Sequence, residues 1–155
     1  MNILQAKYEI RTRKSEMIFY LYHENNQIIY LKNMKKVLIA EDSSVIQNLA
    51  KKILEFQNFE IHSVKNGQQV MDAMDKEDFD ILLLDINMPV MDGMECAGAV
   101  RALADSTKAN IPIVAITGNA RNYTMEDFKS AGFNDMLAKP LNLCIFFNHN
   151  IVLLK

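Results

Sequence analysis

The sequence is poor in the residues that mark specialised architectures. It contains no tryptophan and only two cysteines, three prolines and five glycines among 155 residues. Cys96 and Cys144 are far apart, show no metal-ligand spacing and lie in apolar surroundings. We therefore expect two packed, free thiols in a reducing compartment, with a disulfide as the alternative. No Gly-rich linker announces a second domain.

Long apolar runs and a strong charge imbalance are also missing. No stretch approaches the roughly 18 apolar residues that a bilayer-spanning helix needs, and the run at residues 17–22 is too short for a signal-peptide core. The formal net charge of −2 gives no general reason to expect nucleic acid or an anionic membrane as a partner. These absences predict a cytoplasmic protein that binds neither.

The overall composition is typical of a globular protein. Half of the residues are hydrophobic, enough for a sizeable core, and the length is that of one domain. We divide the chain into an N-terminal extension, residues 1–33, and a functional unit, residues 34–155. In the extension, two apolar stretches flank Asn25 and Asn26. Because Asn tolerates positive φ, a small hairpin is one interpretation, and a flexible leader is the other.

The rest of the chain is organised around Ile81–Asp85, four apolar residues that end in a carboxylate. A short unbroken apolar run is typical of a strand buried on both faces, as in a parallel sheet covered by helices. Pro89 cannot donate to a ladder, so the strand should end near Asp85. Asp85 then lies at the carboxyl end of a central strand, where open α/β sheets bind their ligands.

Four further stretches predict strands, at residues 35–40, 59–64, 111–116 and 133–138. Apolar residues at helical spacing lie between them. The first helix, capped by Ser43 or Ser44, should bury one face made of Val45, Ile46, Leu49, Ile53 and Leu54. A turn is expected at Asn66 and Gly67. The apolar residues of the later helices are Val70, Met71 and Met74; Met94, Ala97, Val100 and Leu103; Met125, Phe128 and Ala131, ended by Gly132; and Leu143, Phe146, Phe147, Ile151 and Leu154, capped by Asn142.

Five strands that alternate with helices indicate an α/β fold, a doubly wound parallel sheet with right-handed crossovers and helices on both faces. The carboxyl ends of its strands meet at one edge, which brings polar side chains together. These are Glu41, Asp42, Asp85, Thr117 and Lys139. Three crowded carboxylates need a cation, and oxygen ligands favour Mg²⁺. The lysine and the hydroxyl suit phosphoryl oxygens. Such a site can host attack of a carboxylate on phosphorus.

Residues 35–141 resemble the receiver domain of two-component response regulators. The matching stretches are V-L-I-A-E-D-S, D-I-L-L-L-D-I-N-M-P-V-M-D-G, I-P-I-V-A-I-T-G-N-A and A-G-F-N-D-M-L-A-K-P. The resemblance implies a flavodoxin-like fold with strand order 2-1-3-4-5, and Asp85 as the phosphoacceptor. It implies Mg²⁺ held by Asp42 directly, by Glu41 mainly through water, by Asp85 and by the backbone carbonyl of Asn87.

The same resemblance implies the remaining roles. Thr117 would be the switch hydroxyl and Lys139 the lysine of the family's motif, followed by a cis Pro140. The partner would be a histidine kinase or a histidine phosphotransfer protein, and the domain would not be an enzyme acting on a separate substrate. Two origins are open: a stand-alone regulator, or a fragment of a hybrid kinase.

Two features depart from the family. Met136 stands where an aromatic residue is usual, which affects the output switch more than the chemistry. The C-terminal segment after Lys139 is unusually apolar, and two interpretations are open: a docking or dimer surface, or an atypical or truncated chain end.

Two alternative functions are weighed against this one. One is a receiver-like binding domain that is never phosphorylated, for which Met136 is the only hint. The other is a Mg²⁺-dependent phosphatase of the haloacid dehalogenase type. Those enzymes resemble D-x-D, with the second aspartate as general acid, and Asn87 in that place cannot donate an acidic proton.

Overall fold

The computed structural model describes residues 35–56, 59–118 and 123–140, together with three strands of the N-terminal region. The chain divides into two compact units, Met1–Met34 and Lys35–Lys155. The first unit holds strands β1 (Lys7–Arg13), β2 (Glu16–Tyr22) and β3 (Ile28–Leu31). They form an antiparallel sheet in the order β1-β2-β3. The pairing of β2 with β3 is the one that the hairpin hypothesis requires, and β1 is a strand that the sequence pattern does not predict.

The second unit alternates strands and helices along the chain. Its strands are β4 (Lys36–Ala40), β5 (Glu60–Val64), β6 (Ile81–Asp85), β7 (Ile113–Thr117) and β8 (Asp135–Ala138). Its helices are α1 (Ser44–Phe56), α2 (Gly67–Lys76), α3 (Gly93–Arg101), α4 (Ser106–Ala109) and α5 (Met125–Ser130). The strands pair in parallel in the order β5-β4-β6-β7-β8. The predicted doubly wound sheet and its strand order are therefore confirmed.

Two apolar clusters, one on each face of this sheet, follow from the alternation of side chains along the strands. Leu82 and Leu84 belong to the cluster that includes residues of α2, α3 and α5, whereas Leu83 belongs to the cluster that includes residues of α1. All five residues of β6 are buried. The unbroken apolar run is thus explained, because a strand covered on both faces has no solvent side that needs polar residues.

The predicted buried face of the first helix is wrong in part. Leu54 is buried, but Val45 is 79% exposed and Leu49 50% exposed. At about 100° per residue, Val45 lies about 180° from Leu54 around the helix. One sheet cannot cover both directions, so the side that carries Ala50 and Leu54 is buried and Val45 faces solvent.

Several element bounds also differ from the prediction. Asn66 and Gly67 do not form a separate turn, because Asn66 caps α2 by accepting a hydrogen bond from the amide of Gln69. Helix α4 was not predicted, since four residues are too few to show periodicity. Helix α5 starts at Met125 with Thr124 as its cap. The helix predicted from Asn142 lies outside the described residues, as does Cys144. In the described part no helix is long and apolar enough to cross a membrane.

Val90 adopts a backbone conformation that is unfavourable for a valine. Its φ is +71°, and the amide of Met91 donates to the carbonyl of Pro89 at 2.8 Å, which closes a three-residue turn around it. Left-handed backbone is strained for a β-branched residue. Val90 is also 83% exposed, so little packing offsets the strain.

We expect Val90→Asn to stabilise the domain by about 1 kcal/mol, because Asn tolerates left-handed backbone and little buried surface is lost. Chemical denaturation of the purified protein measures the change. Val90→Thr is the matched control, since it keeps the β-branch and should bring no gain. If Val90→Asn is no more stable than Val90→Thr, the strain is not present in solution.

Candidate functional site

Three carboxylates meet at the carboxyl edge of the sheet. Glu41 follows β4 and Asp85 ends β6, and these strands are neighbours whose residues Ala40 and Leu84 are paired. The pairing therefore places Glu41 and Asp85 side by side. One oxygen from each of Glu41, Asp42 and Asp85 can be chosen so that all three lie within 4.8 Å of one another. Glu41 and Asp85 are buried, whereas Asp42 is exposed.

Lys139 supplies the positive charge that faces this cluster. Its Nζ lies 2.7 Å from Glu41 Oε2 and 2.9 Å from Asp85 Oδ2. It follows the edge strand β8, and its amide donates to the carbonyl of Thr117 at 2.9 Å, which ties it to β7. The Lys139–Pro140 peptide bond is cis, as the resemblance implies. One ammonium therefore bridges two carboxylates that come from different strands.

Burial and neighbouring charges shift the pKa values of Glu41 and Lys139. Burial, above all, raises the pKa of Glu41, and the nearby Asp85 carboxylate adds to the rise, although Lys139 and the Ser43 amide act against it. Burial alone would lower the pKa of Lys139, but its hydrogen bonds to Glu41 and Asp85 outweigh burial and raise it. Lys139 therefore stays charged at neutral pH.

Thr117 and Asn87 complete the predicted set. Thr117 is buried at the end of β7, whose Ile116 is paired with Asp85. Asn87 is exposed, and its amide donates to Asp85 Oδ1 at 3.3 Å. The structure thus brings Glu41, Asp42, Asp85 and Lys139 into contact range and places Thr117 one strand away. The roles assigned to them, including the Asn87 carbonyl as a metal ligand, stay predictions.

The donor set fits a hard divalent cation. It consists of carboxylate oxygens alone, which suits Mg²⁺ better than a softer transition metal. Three carboxylates against one ammonium also leave an excess of negative charge at an edge that is partly open through Asp42. The acidic cluster can therefore hold a metal ion.

Hydrogen bonds that the sequence did not predict hold this site in place. Gln47 Nε2 donates to the carbonyls of Glu41 at 2.6 Å and Val64 at 2.8 Å, which joins the ends of β4 and β5. The amide of Ser43 donates to Glu41 Oε1 at 3.1 Å. Each of these bonds has a backbone group as one partner, so no side-chain motif in the sequence predicts them.

Gly93 allows the loop after Asp85 to turn back on itself. Its amide donates to the carbonyl of Ile86 at 3.0 Å. A Cβ added at Gly93 would lie 2.3 Å from the carbonyl oxygen of Asp85. Helix α3 therefore begins directly against the backbone of the residue that lies at the centre of the site.

The buried thiol of Cys96 lies behind this loop and is free, as expected. Its Sγ donates to the carbonyl of Gly67 at 3.7 Å. Burial raises its pKa to about 12, so it is a packing residue and not a nucleophile.

The chain is similar in sequence and in fold to known proteins. The chain is 34% identical over 113 residues to the hybrid signal transduction histidine kinase I of Dictyostelium discoideum; the match covers 70% of this chain but 6% of that protein. It is similar to the receiver domain of a sensor histidine kinase from Pseudomonas aeruginosa PAO1, solved with a magnesium ion in its active-site cleft (28% identity, TM-score 0.66, 77% of this chain and 94% of that one).

A second solved structure is similar over most of the described fold. It is the Saccharomyces cerevisiae receiver domain of Ssk1, crystallised with the histidine phosphotransfer protein Ypd1 (25% identity, TM-score 0.67, 75% of this chain and 86% of that one). The family model of the response regulator receiver domain matches residues 37–145. That match covers well over half of the sequence, and the chain belongs to the response regulator receiver domain family.

Proposed function

We propose that this domain accepts a phosphoryl group from a phosphohistidine onto Asp85, with Mg²⁺, and so switches protein–protein interactions in a two-component or phosphorelay system. The observation that carries the proposal is the buried Asp85 carboxylate, which belongs to the acidic cluster and contacts the Lys139 ammonium. Family membership and the kinase relatives support it.

The chemistry follows from the groups that surround Asp85. A carboxylate oxygen of Asp85 attacks phosphorus, the P–N bond of the donor breaks, and its electron pair leaves with the imidazole nitrogen. Lys139, already 2.9 Å from Asp85 Oδ2, is positioned to donate to a phosphoryl oxygen. The hydroxyl of Thr117 supplies a further donor from the neighbouring strand. Glu41, Asp42 and Asp85 would hold a Mg²⁺ ion, whose positive charge would stabilise the negative charge on the transferring phosphoryl oxygens.

Other functions fit less well. A phosphatase with an aspartate nucleophile needs a general acid two residues later, and Asn87 is not one. We therefore propose that the domain is not an enzyme on a separate substrate and only contributes to its own phosphorylation and dephosphorylation. We also propose a cytoplasmic location, which the free thiol of Cys96 supports because reducing compartments preserve thiols.

The phosphodonor is proposed to be a histidine kinase or a histidine phosphotransfer protein. Val45 is 79% exposed and Leu49 50% exposed one turn later, and Val45 lies only three residues after Asp42. Exposed apolar side chains beside a charged site are what a docking partner buries. The Ssk1 receiver domain, which is similar to this chain, was solved together with such a phosphotransfer protein.

Phosphotransfer from a protein donor tests this function. We expect the wild type to accept the group from phosphorylated Ypd1, used as a surrogate donor. Val45→Glu should slow transfer about fivefold or more, since a lost apolar contact at an interface costs about 1 kcal/mol or more. Phosphorylation by acetyl phosphate should not change. Quantitative phosphoprotein gels over time measure both rates.

Phe56→Glu is the matched control for charge. Phe56 is 90% exposed on the same side of α1, but it lies about 16 Å further along the helix. It should leave both rates unchanged. If Val45→Glu accepts from Ypd1 as fast as the wild type, or slows with acetyl phosphate to the same degree, the start of α1 is not the donor's docking surface.

A further inference from the structure

Arg101, at the last position of α3, makes a set of contacts that the phosphorylation site does not use. Its Nε donates to the carbonyl of Gly132 at 2.9 Å, and its Nη1 donates to the carbonyls of Ala109 and Ile111, both at 2.7 Å. Its Nη2 donates to Asn134 Oδ1 at 2.8 Å. All four acceptors are uncharged oxygens, so the guanidinium serves as a geometric bracket and not as an ion pair.

The bracket joins the two segments that lead into neighbouring strands. Ala109 and Ile111 precede β7, and Gly132 and Asn134 precede β8. Gly132 leaves room for the arginine side chain, because a Cβ there would lie 2.7 Å from Arg101 Cγ. Its φ of +101° also favours glycine at this position. Arg101 therefore holds the starts of both strands together at the amino edge of the sheet.

Asn134 links Arg101 to the register of β7 and β8. Its amide donates to the carbonyl of Ile113 and its Oδ1 accepts from the amide of Ile113, both at 2.8 Å. The same Oδ1 accepts from Arg101, which fixes the orientation of the side-chain amide. From this starting pair the ladder continues to Thr117 opposite Ala138 at the other end.

Lys139 is the next residue, so its position depends on this register. Strand β8 has only four residues and lies at the edge of the sheet, paired with β7 alone. A slip that keeps its faces must be of two residues and would move Lys139 by about 6.6 Å. At its present position Lys139 Nζ lies 2.9 Å from Asp85.

We propose that Arg101 is a positioning residue for the phosphorylation site: from the opposite edge of the sheet it fixes the start of β8 and thereby places Lys139 between Glu41 and Asp85. The proposal rests on the function proposed above. It has a consequence that simple destabilisation does not have. Lys139 is a cation among the carboxylates that would hold Mg²⁺. Moving it away should therefore slow phosphorylation and, at the same time, strengthen Mg²⁺ binding.

The test compares Mg²⁺ affinity, measured by isothermal titration calorimetry because the chain has no tryptophan to report binding, with the rate of phosphorylation by acetyl phosphate at saturating Mg²⁺. We expect Arg101→Ala to bind Mg²⁺ about threefold more tightly than the wild type and to be phosphorylated at least about tenfold more slowly. Amide hydrogen exchange of β8 should quicken more than that of β4.

Val100→Ala is the control, because Val100 is fully buried in the same helix and its truncation destabilises the domain without touching the bracket. It should leave Mg²⁺ affinity unchanged.

Asn134→Ala is the second variant if Arg101→Ala does not fold, and it should shift Mg²⁺ affinity in the same direction. Mg²⁺ affinity in Arg101→Ala or Asn134→Ala that equals or falls below that of Val100→Ala overturns the proposal. A wild type that acetyl phosphate does not modify overturns the proposed function instead, while the Mg²⁺ comparison still decides the role of Arg101.

Discussion

Gly93→Ala should disrupt the loop that follows Asp85 and destabilise the domain by about 3 kcal/mol or more. The added Cβ would meet the carbonyl oxygen of Asp85 at 2.3 Å and the Cα of Ile86 at 3.0 Å. These are backbone atoms at the buried end of β6, so they cannot move aside as a side-chain tip can. The clash therefore exceeds ordinary overpacking. Denaturant titration measures the stability, and the rate of phosphorylation by acetyl phosphate measures the remaining activity of the site.

Gly98→Ala is the matched control in the same helix. A Cβ there meets no atom within 4 Å, and the residue is exposed. Alanine at an exposed helix position should stabilise the domain by about 0.5–1 kcal/mol. Two identical substitutions five residues apart are thus expected to act with opposite sign. Equal effects would show that helix α3 does not approach Asp85 as closely as the structure has it.

Lys139→Met should lower the rate of phosphorylation by about a hundredfold or more, because it removes a preorganised donor from the oxygens on which charge develops. The same substitution should tighten Mg²⁺ binding, since it removes the ammonium that now bridges Glu41 and Asp85. A methionine keeps an unbranched apolar stem and lacks the terminal ammonium. Single-turnover phosphorylation and calorimetric Mg²⁺ titration report the two changes separately.

Lys36→Met provides the control for loss of a lysine. Lys36 lies at the amino end of β4, where its Nζ is 3.0 Å from Glu77 and 3.6 Å from Glu60. It should change neither the rate nor the Mg²⁺ affinity. Weaker Mg²⁺ binding in Lys139→Met would contradict the bridging role of this lysine.

The main features of the fold could be predicted because they depend on local pattern. The apolar run of β6 indicates a strand covered on both faces, and alternation with helices then indicates parallel strands. Polar residues at strand ends converge by topology alone, which is why Glu41, Asp42, Asp85 and Lys139 could be grouped from the sequence. The strand order came from the resemblance and is confirmed by the pairing.

The features that could not be predicted from the sequence depend on which side of a helix faces the sheet, or on contacts between residues far apart in the chain. Helical spacing placed Val45 and Leu54 on one face, although the sheet covers only one side of α1. The donors Gln47 and Arg101 bind backbone carbonyls far away in sequence, which no motif encodes. The left-handed backbone of Val90 could not be anticipated either, because valine is among the residues least suited to it.

The central claim is that Asp85 is the phosphoacceptor, and intact-mass spectrometry tests it most directly. Wild type and Asp85→Asn are incubated with acetyl phosphate, with and without Mg²⁺. We expect one phosphate on the wild type, dependent on Mg²⁺, stable in acid and labile in base, and none on Asp85→Asn. No adduct on the wild type under any condition, together with failure to form a beryllofluoride complex, would contradict the account and favour a binding domain that is never phosphorylated.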